Sequence, residues 1–304
     1  MTRISVVIPT WRRVHWLQLC LRSLKAQSRL PCEVLVVGRR EDTEARRLSE
    51  LWSADSPFLL RWLEVDKDGH IAPVVRGLSG VEADIVAFLD DDCEPEASWL
   101  AELVEPFADS SVACVGGSVC TPGFVGKVRR DSGSIRWYGQ HIGNVAALER
   151  KSPRRVQAVM ECNWAWRSSV LRSLDFDTAL DQDDASMYGL ELCLQAQELG
   201  YAVMYTPGAR VLHHAAPRDP RLDRNDRPHR SQSYARNYTY IGLKHFHGLR
   251  GKAFLIWWWV IGERGAYSAV TGVVDILLQR SDVRERWKAA MRGRREGVLL
   301  WRTR

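Results

Sequence analysis

The chain has 304 residues, which is long enough to bury a large core without disulfides or a structural metal. Hydrophobic residues make up 45% and charged residues 26%, a composition that excludes a disordered, collagen-like or purely coiled-coil protein. The formal net charge is +6, and residues 280–304 alone carry nine Lys and Arg against three Asp and Glu. Nucleic-acid-binding proteins spread positive charge along a binding face, so this concentrated charge predicts an anionic membrane surface as partner and no nucleic acid.

The N-terminal segment enters a strand pattern directly and lacks the long apolar region of a signal peptide. Seven cysteines occur without a C-x-x-C pair, and most lie within apolar runs. This usage predicts reduced, largely buried thiols. We therefore expect a cytoplasmic protein that binds peripherally to the inner face of the cell membrane.

The first hundred residues alternate strand and helix patterns. The predicted strands are Ile4–Ile8, Glu33–Val37, Phe58–Val65 and Asp84–Leu89. The predicted helices between them are Val14–Ala26, Asp42–Trp52 and Ile71–Leu78. Continuous apolar strands that alternate with helices predict an α/β fold with a mainly parallel, Rossmann-like sheet. Ligands of such sheets bind at the carboxyl ends of the strands.

The rest of the chain is less regular. Further strands are predicted at Val112–Val119, Ala202–Tyr205 and Ala209–Leu212, and helices at Ser168–Leu174 and Met187–Leu199. Residues 121–153 are rich in Gly, Arg and Ser and predict a long loop region. A polar segment, 215–230, precedes an aromatic and apolar C-terminal part that includes Phe254–Ile261. This apolar run is too short to span a bilayer, and its three tryptophans at 257–259 predict a helix lying in the membrane interface or packed on the protein.

Three adjacent acids, Asp90, Asp91 and Asp92, follow the strand that ends at Leu89. Adjacent carboxylates repel one another, and a divalent cation relieves the repulsion. Oxygen ligands suit Mg²⁺ or Mn²⁺, which keep coordination sites open for phosphate oxygens. The alternative is ordinary capping by Asp92 of a helix that begins near Pro95.

Several motifs in a fixed order carry a resemblance to a known family. SVVIPTWRR, EVLVV and IVAFLDDDCEPEASWL resemble the nucleotide-sugar-binding half of family 2 glycosyltransferases of the GT-A fold. CNWAWRSSVLRSLDFDTAL and ELCLQAQELGYAVMYTPGARVLHH are similar to the segments that follow in that family. SYARNYTYIGLKHFHG resembles a segment of bacterial members that act on cell-surface glycans. The resemblance covers residues 3–250 and implies a GT-A fold with a C-terminal helical appendage.

The resemblance implies a metal-dependent donor site. Asp90 and Asp92 are expected to hold Mn²⁺ or Mg²⁺, with Asp92 as the direct ligand and Asp90 facing the ribose or a metal-bound water. His213 is expected to complete the metal site, with His214 as its alternative. Residues at the strand ends are expected to contact the nucleotide of a UDP-, GDP- or dTDP-sugar. These expected nucleotide contacts are Pro9, Thr10, Arg12, Asp42, Asp66, Asp90 and Asp91.

Inversion at the anomeric carbon needs a general base. Tyr188-Gly189-Leu190-Glu191 stands where the family has an acidic pair, so Glu191 is the first candidate base, with Asp183 and Asp184 as alternatives. Glu191 could equally be an acid that the helix dipole favours at a helix N-terminus. The resemblance also implies an acceptor platform formed by Asn163, Trp164, Trp166 and Arg167, although the two tryptophans could instead form one face of a core strand.

Three regions are therefore predicted: a nucleotide-sugar-binding half (1–120), an acceptor-binding half of the same domain (121–215), and a linker with amphipathic, basic helices (216–304). The expected activity is inverting sugar transfer from a nucleotide-diphosphate donor to a cell-surface glycan or lipid-linked acceptor. The alternatives are a sugar-nucleotide nucleotidyltransferase and a catalytically inactive GT-A binding subunit.

Overall fold

A computed structural model describes residues 2–123, 130–143, 152–181, 187–216 and 227–304. The chain forms two compact units. The first unit contains Met1–Ser134, Ile142–Phe176 and Leu192–Ala216. The second unit contains Ile135–His141, Asp177–Glu191 and Pro217–Arg304. The predicted division into regions 1–120, 121–215 and 216–304 remains a prediction.

The first unit is built around a sheet that has nine strands within the described residues. Strands β1 to β6 are Ile4–Pro9, Glu33–Gly38, Leu59–Glu64, Ile85–Leu89, Cys93–Pro95 and Val112–Cys120. The next strands along the chain are β7 (Ser134–Ile135), β8 (His141–Ile142), β9 (Arg154–Val156), β10 (Asn163–Arg167) and β11 (Ala202–His213), of which β7 and β8 lie outside this sheet. The sheet order is β3-β2-β1-β4-β10-β6-β11-β5, and β9 pairs with β11.

The four strands β3, β2, β1 and β4 are parallel to one another, as the sequence predicts. Strand β10 is antiparallel to both β4 and β6, and β11 returns to the parallel direction beside β6. The register pairs Pro9 with Val37 and Val7 with Phe88, so β1, β2 and β4 end at the same edge. Polar segments that follow these strands therefore meet there.

Helices α1 to α6 are Val14–Lys25, Thr43–Ser53, Ile71–Gly80, Trp99–Val104, Ser168–Ser173 and Tyr188–Glu198. In α1 the spacing of Leu17, Leu21 and Leu24 places apolar side chains on one face, and all three are buried. Helix α2 begins after Asp42, whose carboxylate accepts a hydrogen bond from the Ala45 N–H. The predicted element types of the first hundred residues are thus the observed ones.

Strand β11 differs from the prediction of two short strands. It runs without interruption from Ala202 to His213, and its register with β6 shifts between Thr206 and Arg210. Pro207 and Gly208 lie within this irregularity, where a residue that cannot donate to the ladder is tolerated. The continuous strand carries His213 to the sheet edge that holds Cys93.

The second unit is largely helical. Its C-terminal elements are α7 (Arg227–His245), α8 (Gly248–Ile256), a π-helical turn (Trp257–Ile261), β12 (Gly262–Glu263), β13 (Ala266–Tyr267), α9 (Ala269–Leu277) and α10 (Val283–Arg302). Trp257 and Trp258 are buried, and the Trp258 ring packs against Tyr238 and Phe254. The predicted position of these two tryptophans in a membrane interface is therefore wrong, because their rings form the core of this unit. No described helix is both long and apolar enough to cross a bilayer.

Candidate active site

Two of the three acids after β4 are buried at the sheet edge where β1 ends. Asp91 and Asp92 are each 3% exposed. The Thr10 hydroxyl donates a hydrogen bond of 2.8 Å to Asp91 Oδ2. The Ala216 N–H donates one of 2.8 Å to Asp92 Oδ2. The two carboxylates are thus held by groups from opposite ends of the first unit's sequence.

Arg13 neutralises part of this acidic pair. Its Nη1 lies 3.0 Å from Asp91 Oδ1 and 3.3 Å from Asp92 Oδ2, and its Nη2 donates to the Ala216 carbonyl. Sequence reasoning missed this residue, although it ends the SVVIPTWRR motif. Charge complementarity could have indicated Arg13, because buried carboxylates need a nearby cation and this arginine follows the first strand.

The pKa values of the Asp91 and Asp92 carboxylates are shifted in opposite directions. Burial raises the pKa of Asp91 to about 7, against the opposing effect of the Arg13 guanidinium. Burial also disfavours ionisation of Asp92, but the His213 imidazole, Arg13 and the Ala216 N–H together lower its pKa to about 2. Asp92 is therefore the carboxylate that is ionised throughout the neutral range.

Asp92 and His213 fit a divalent metal ion. Asp92 Oδ1 is buried and lies 3.3 Å from His213 Nε2. Within the described residues, Asp92, Cys93 and His213 form a group that could hold an ion, with ligand atoms within 4.8 Å of one another. Burial raises the pKa of the Cys93 thiol well above its ordinary value, so this side chain remains a weak ligand. Carboxylate oxygens suit both Mg²⁺ and Mn²⁺, so the Asp92 carboxylate fits either ion, with the His213 imidazole as a second ligand.

The structure distinguishes His213 from His214. The Nδ1 atom of His213 lies 3.3 Å from Thr121 Oγ1, an arrangement that directs Nε2 towards Asp92. His214 instead contacts Glu94 through Nε2 and packs against the Trp16 ring. His214 follows the last residue of β11, and its imidazole contacts a different set of side chains from that of His213.

Asp90 is half-buried and lies outside the candidate metal group found among the described residues. Its backbone carbonyl accepts a hydrogen bond from the Cys93 N–H, which closes the turn after β4. Its expected role towards the ribose or a metal-bound water remains a prediction.

Some of the predicted nucleotide contacts have structural roles. Asp42 is buried, caps α2 and accepts a hydrogen bond from the Arg12 N–H, and Arg12 has a left-handed backbone with φ of 55°. The Asp42 and Thr10 side chains both make internal hydrogen bonds, and their expected contact with the nucleotide remains a prediction. Pro9 is half-buried and Asp66 is exposed, so both keep their predicted role as an expectation.

Sequence reasoning also missed an aromatic side chain at the ends of β1 and β2. The Trp11 ring lies between two guanidinium groups, with Arg12 at 4.7 Å and Arg39 at 4.3 Å from the ring centroid. Arg39 also pairs with Asp68, which follows β3. Arginine–aromatic stacking of this kind fixes donors and a flat apolar surface at the edge where ligands of such sheets bind.

The predicted acceptor platform is wrong for its two tryptophans. Trp164 and Trp166 are 0% exposed and pack edge to face within the core on β10, so no sugar can stack on them. Asn163 is also fully buried, and its amide joins Trp99 Nε1 to the carbonyls of Ser118 and Ala209. A side chain at Gly117 would collide with this amide, because a Cβ atom there would lie 2.5 Å from Asn163 Nδ2.

Arg167, the fourth residue of that platform, also has a structural position. Its guanidinium donates to the backbone carbonyls of Phe107, Asp109 and Val112. These hydrogen bonds hold the segment that leads into β6, and the expected place of Arg167 in an acceptor platform remains a prediction.

Glu191 does not have the environment of a general base. It is 1% exposed, and its Oε1 lies 2.7 Å from Lys244 Nζ and 3.2 Å from His245 Nε2 within the second unit. A base must reach the hydroxyl whose proton it takes, and this carboxylate is enclosed in an ion-pair cluster instead. The structure thus argues against the prediction for Glu191. Asp183 and Asp184 lie outside the described residues.

A known protein family covers most of the strands and the three adjacent acids described above. The model of glycosyl transferase family 2 matches residues 5–174, which is more than half of the chain. The chain belongs to glycosyl transferase family 2. The matched residues include the acidic triplet and Arg13 but end before His213.

Curated relatives agree with this family. The glycosyltransferase AglE of Haloferax volcanii is 30% identical over 118 residues, which is 38% of this chain and 39% of AglE. The pre-mycofactocin glycosyltransferase of Mycobacterium tuberculosis is 30% identical over 149 residues, which is 48% of this chain and 30% of that protein. The chain therefore spans well under half the length of either relative.

Solved structures agree with the GT-A fold of this family 2 member. GalNAc-T7 with UDP, GalNAc and Mn²⁺ has a TM-score of 0.61 at 16% identity, covering 84% of this chain and 50% of GalNAc-T7. The mannosyltransferase PcManGT from Pyrobaculum calidifontis, in complex with GDP-Man and Mn²⁺, has a TM-score of 0.59 at 17% identity and covers 100% of this chain and 88% of its own. At these identities the likeness establishes the fold alone.

Proposed function

We propose that this chain transfers a sugar from a nucleotide-diphosphate donor to a cell-surface glycan or lipid-linked acceptor, with a divalent metal ion and with inversion. The observation that carries the proposal is the close approach of two metal-ligating groups, with the buried Oδ1 of Asp92 3.3 Å from His213 Nε2. Both similar structures contain Mn²⁺ and a nucleotide, UDP in one and GDP-Man in the other, which supports a UDP-, GDP- or dTDP-sugar as donor.

Asp92 and His213 would hold the ion, and Thr121 would keep the His213 ring oriented. A bound Mn²⁺ or Mg²⁺ supplies a Lewis acid that stabilises negative charge on the departing diphosphate. Arg13 has the complementary task of keeping Asp91 and Asp92 in place through its guanidinium. Arg12 and Arg39, stacked on Trp11, are positioned to face an anionic nucleotide at the strand ends.

Inversion requires a base that takes the proton of the acceptor hydroxyl. We assign this role to Asp184 or Asp183, because the third candidate, Glu191, is buried against Lys244. The Asp184→Asn and Asp183→Asn variants should therefore keep nucleotide binding, and one of them should lose transfer by at least about 100-fold. Equal loss of transfer in Glu191→Gln, with folding intact, would return the role to Glu191.

The decisive experiment measures thermal unfolding with UDP, GDP or dTDP, each with and without Mn²⁺. A nucleotide at 100 times its dissociation constant stabilises the folded state by about 2.7 kcal/mol. We expect one nucleotide to give this effect only with Mn²⁺, and Asp92→Asn to abolish it. Asp55→Asn, which changes an exposed carboxylate of the same unit, is the matched control. Stabilisation that persists in Asp92→Asn would refute the metal-dependent donor site.

Turnover is then followed by the release of nucleoside diphosphate from the corresponding sugar donor. Mn²⁺-dependent nucleotide binding without any release, even with lipid-linked acceptors, would instead indicate an inactive binding subunit. Release of pyrophosphate from a nucleoside triphosphate and a sugar phosphate would indicate a nucleotidyltransferase.

We also propose that the protein works at the cytoplasmic face of the cell membrane and binds it peripherally. The surplus of basic residues in 280–304 supports attraction to anionic lipid.

A further inference from the structure

Helix α9 exposes a continuous apolar stripe. The stripe consists of five residues at helical spacing, all at least 45% exposed, and Leu277 is 75% exposed. They are Val270, Val273, Val274, Leu277 and Leu278. A helix in water normally turns such a stripe towards a core. Here the opposite face is the buried one, since Gly272 packs against the Trp287 ring of α10 and Asp275 is buried.

A groove with basic edges lies beside this stripe, between α9 and α10. It has a volume of 690 Å³, and its apolar part is formed by Ile276, Trp287 and Met291. The basic residues that line it are Arg284, Lys288, Arg292 and Arg295. All four are exposed. An apolar floor with several cations at its edge suits a ligand that joins a phosphate to a hydrocarbon chain.

Within the described part of the chain, the four basic side chains of this groove have no acidic partner. Among the residues that the structure describes, no carboxylate oxygen lies within 4.0 Å of the side-chain nitrogens of these four residues. Other arginines of the second unit do have such partners: Arg264 and Arg280 pair with Asp275, and Arg227 pairs with Asp282. The positive charge is thus concentrated at the groove and available to an anion.

We propose that α9 lies in the surface of an anionic bilayer, with its stripe among the acyl chains, and that the α9–α10 groove holds the phosphate of an anionic phospholipid. The inference rests on the proposed membrane binding and assigns it to particular residues. The stripe supplies apolar area, which binds any bilayer, and the groove supplies selectivity for anionic headgroups. Trp257 and Trp258, buried in the core, take no part.

Two sets of variants separate these contributions. Lys288→Gln with Arg295→Gln removes two groove charges from exposed helical positions, and Arg22→Gln with Arg47→Gln removes two exposed charges from the first unit as a control. Val273→Ser with Leu277→Ser shortens the stripe, and Leu51→Ser with Leu199→Ser, also exposed, is its control.

Binding of the full chain to phosphatidylcholine vesicles, with and without phosphatidylglycerol, is measured by co-sedimentation. Each basic residue near an anionic surface contributes about 1 kcal/mol. The groove variant should therefore bind anionic vesicles roughly 30-fold more weakly while keeping its weak affinity for neutral vesicles. The stripe variant should lose affinity for both, and the two controls should behave like the wild type.

The inference is overturned if the groove variant and its control bind anionic vesicles equally. It is also overturned if inorganic phosphate releases the protein from anionic vesicles while sodium chloride at the same ionic strength does not, because the groove would then bind free phosphate. Self-association that disappears in the stripe variant, without vesicle binding by the wild type, would identify a second copy of this chain as the occupant. Mn²⁺-dependent nucleotide binding is measured on the same variants. It should be unchanged, so a failure of the membrane site is distinguishable from a failure of the donor site.

Discussion

Replacement of Arg13 by methionine tests how the acidic pair is held. Arg13 is the shared cation of Asp91 and Asp92, both of which are 3% exposed. Removing one partner of a buried ion pair costs about 3–5 kcal/mol, and the partial exposure of Arg13 places the expected loss near the lower limit, about 3 kcal/mol. This corresponds to a decrease in melting temperature of roughly 6–10 °C. Arg22→Met, an exposed change on the same helix, should leave the melting temperature within about 2 °C of the wild type.

The loss in Arg13→Met should depend on pH with a definite sign. The pKa of Asp91 is already raised to about 7 by burial, and removal of Arg13 raises it further. A carboxyl group whose pKa is raised in the folded state stabilises that state when protonated, and this stability is lost as the pH rises through the folded pKa. The deficit of the variant should therefore be largest at pH 8 and decrease towards pH 6.

Mn²⁺ should partly replace the missing guanidinium, since both cations act on Asp92. The increase in melting temperature on adding Mn²⁺ should then be larger for Arg13→Met than for the wild type. Thermal unfolding at pH 6, 7 and 8, with and without Mn²⁺, measures the loss of stability in the variant, its dependence on pH and the stabilisation by Mn²⁺. A variant as stable as the wild type at pH 8, or a deficit that grows towards pH 6, would refute this account of the acidic pair.

His213→Ala should weaken Mn²⁺ binding at least about tenfold by titration calorimetry, whereas His214→Ala should not, because His214 contacts Glu94. Trp166→Ala should lower the free energy of unfolding in urea by about 3–5 kcal/mol, and a well-folded variant with only a raised acceptor KM would restore the sugar-platform hypothesis. Glu33→Gln should cost about 2 kcal/mol at neutral pH, because the Ser5 and Arg61 hydrogen bonds outweigh burial and lower the pKa of Glu33. That difference should shrink as the pH falls below about 4, the range in which the unfolded carboxylate gains its proton, and a difference independent of pH would contradict it.

The sequence predicted the parallel half of the sheet because its strands are buried on both faces and therefore read as continuous apolar runs. It could not predict that β10 lies between β4 and β6, because pairing partners far apart in the chain leave no periodic signal. The same limitation explains the error at Trp166. Alternation along a strand shows that two side chains share a face, but it does not show whether that face meets a ligand or the core.

Some residues of the candidate site could be predicted from the sequence, whereas others are defined only by contacts between distant parts of the chain. The resemblance supplied Asp92 and His213, which are 121 positions apart and meet only because β11 and β5 pair. The capping role of Asp42 was not predicted, because a helix cap and a ligand contact place the same residue type at the same strand end. Arg13 was overlooked because a single arginine in a turn has no pattern, and its role is defined only by the two carboxylates that the fold brings to it.

The adjacent acids Asp91 and Asp92 now have separate physical roles. Repulsion among three adjacent carboxylates predicts a divalent cation, but the structure relieves much of that repulsion through the Arg13 guanidinium and through the raised pKa of Asp91. In the proposed donor site a metal ion would therefore be needed less for folding than for donor binding, and its partner would be Asp92, whose pKa is lowered, and not Asp91, whose pKa is raised. The hydrogen bonds from Thr10 and Ala216 and the Arg13 ion pairs hold the two carboxylates without a metal ion, so the proposal predicts that nucleotide and ion would bind to a site already formed.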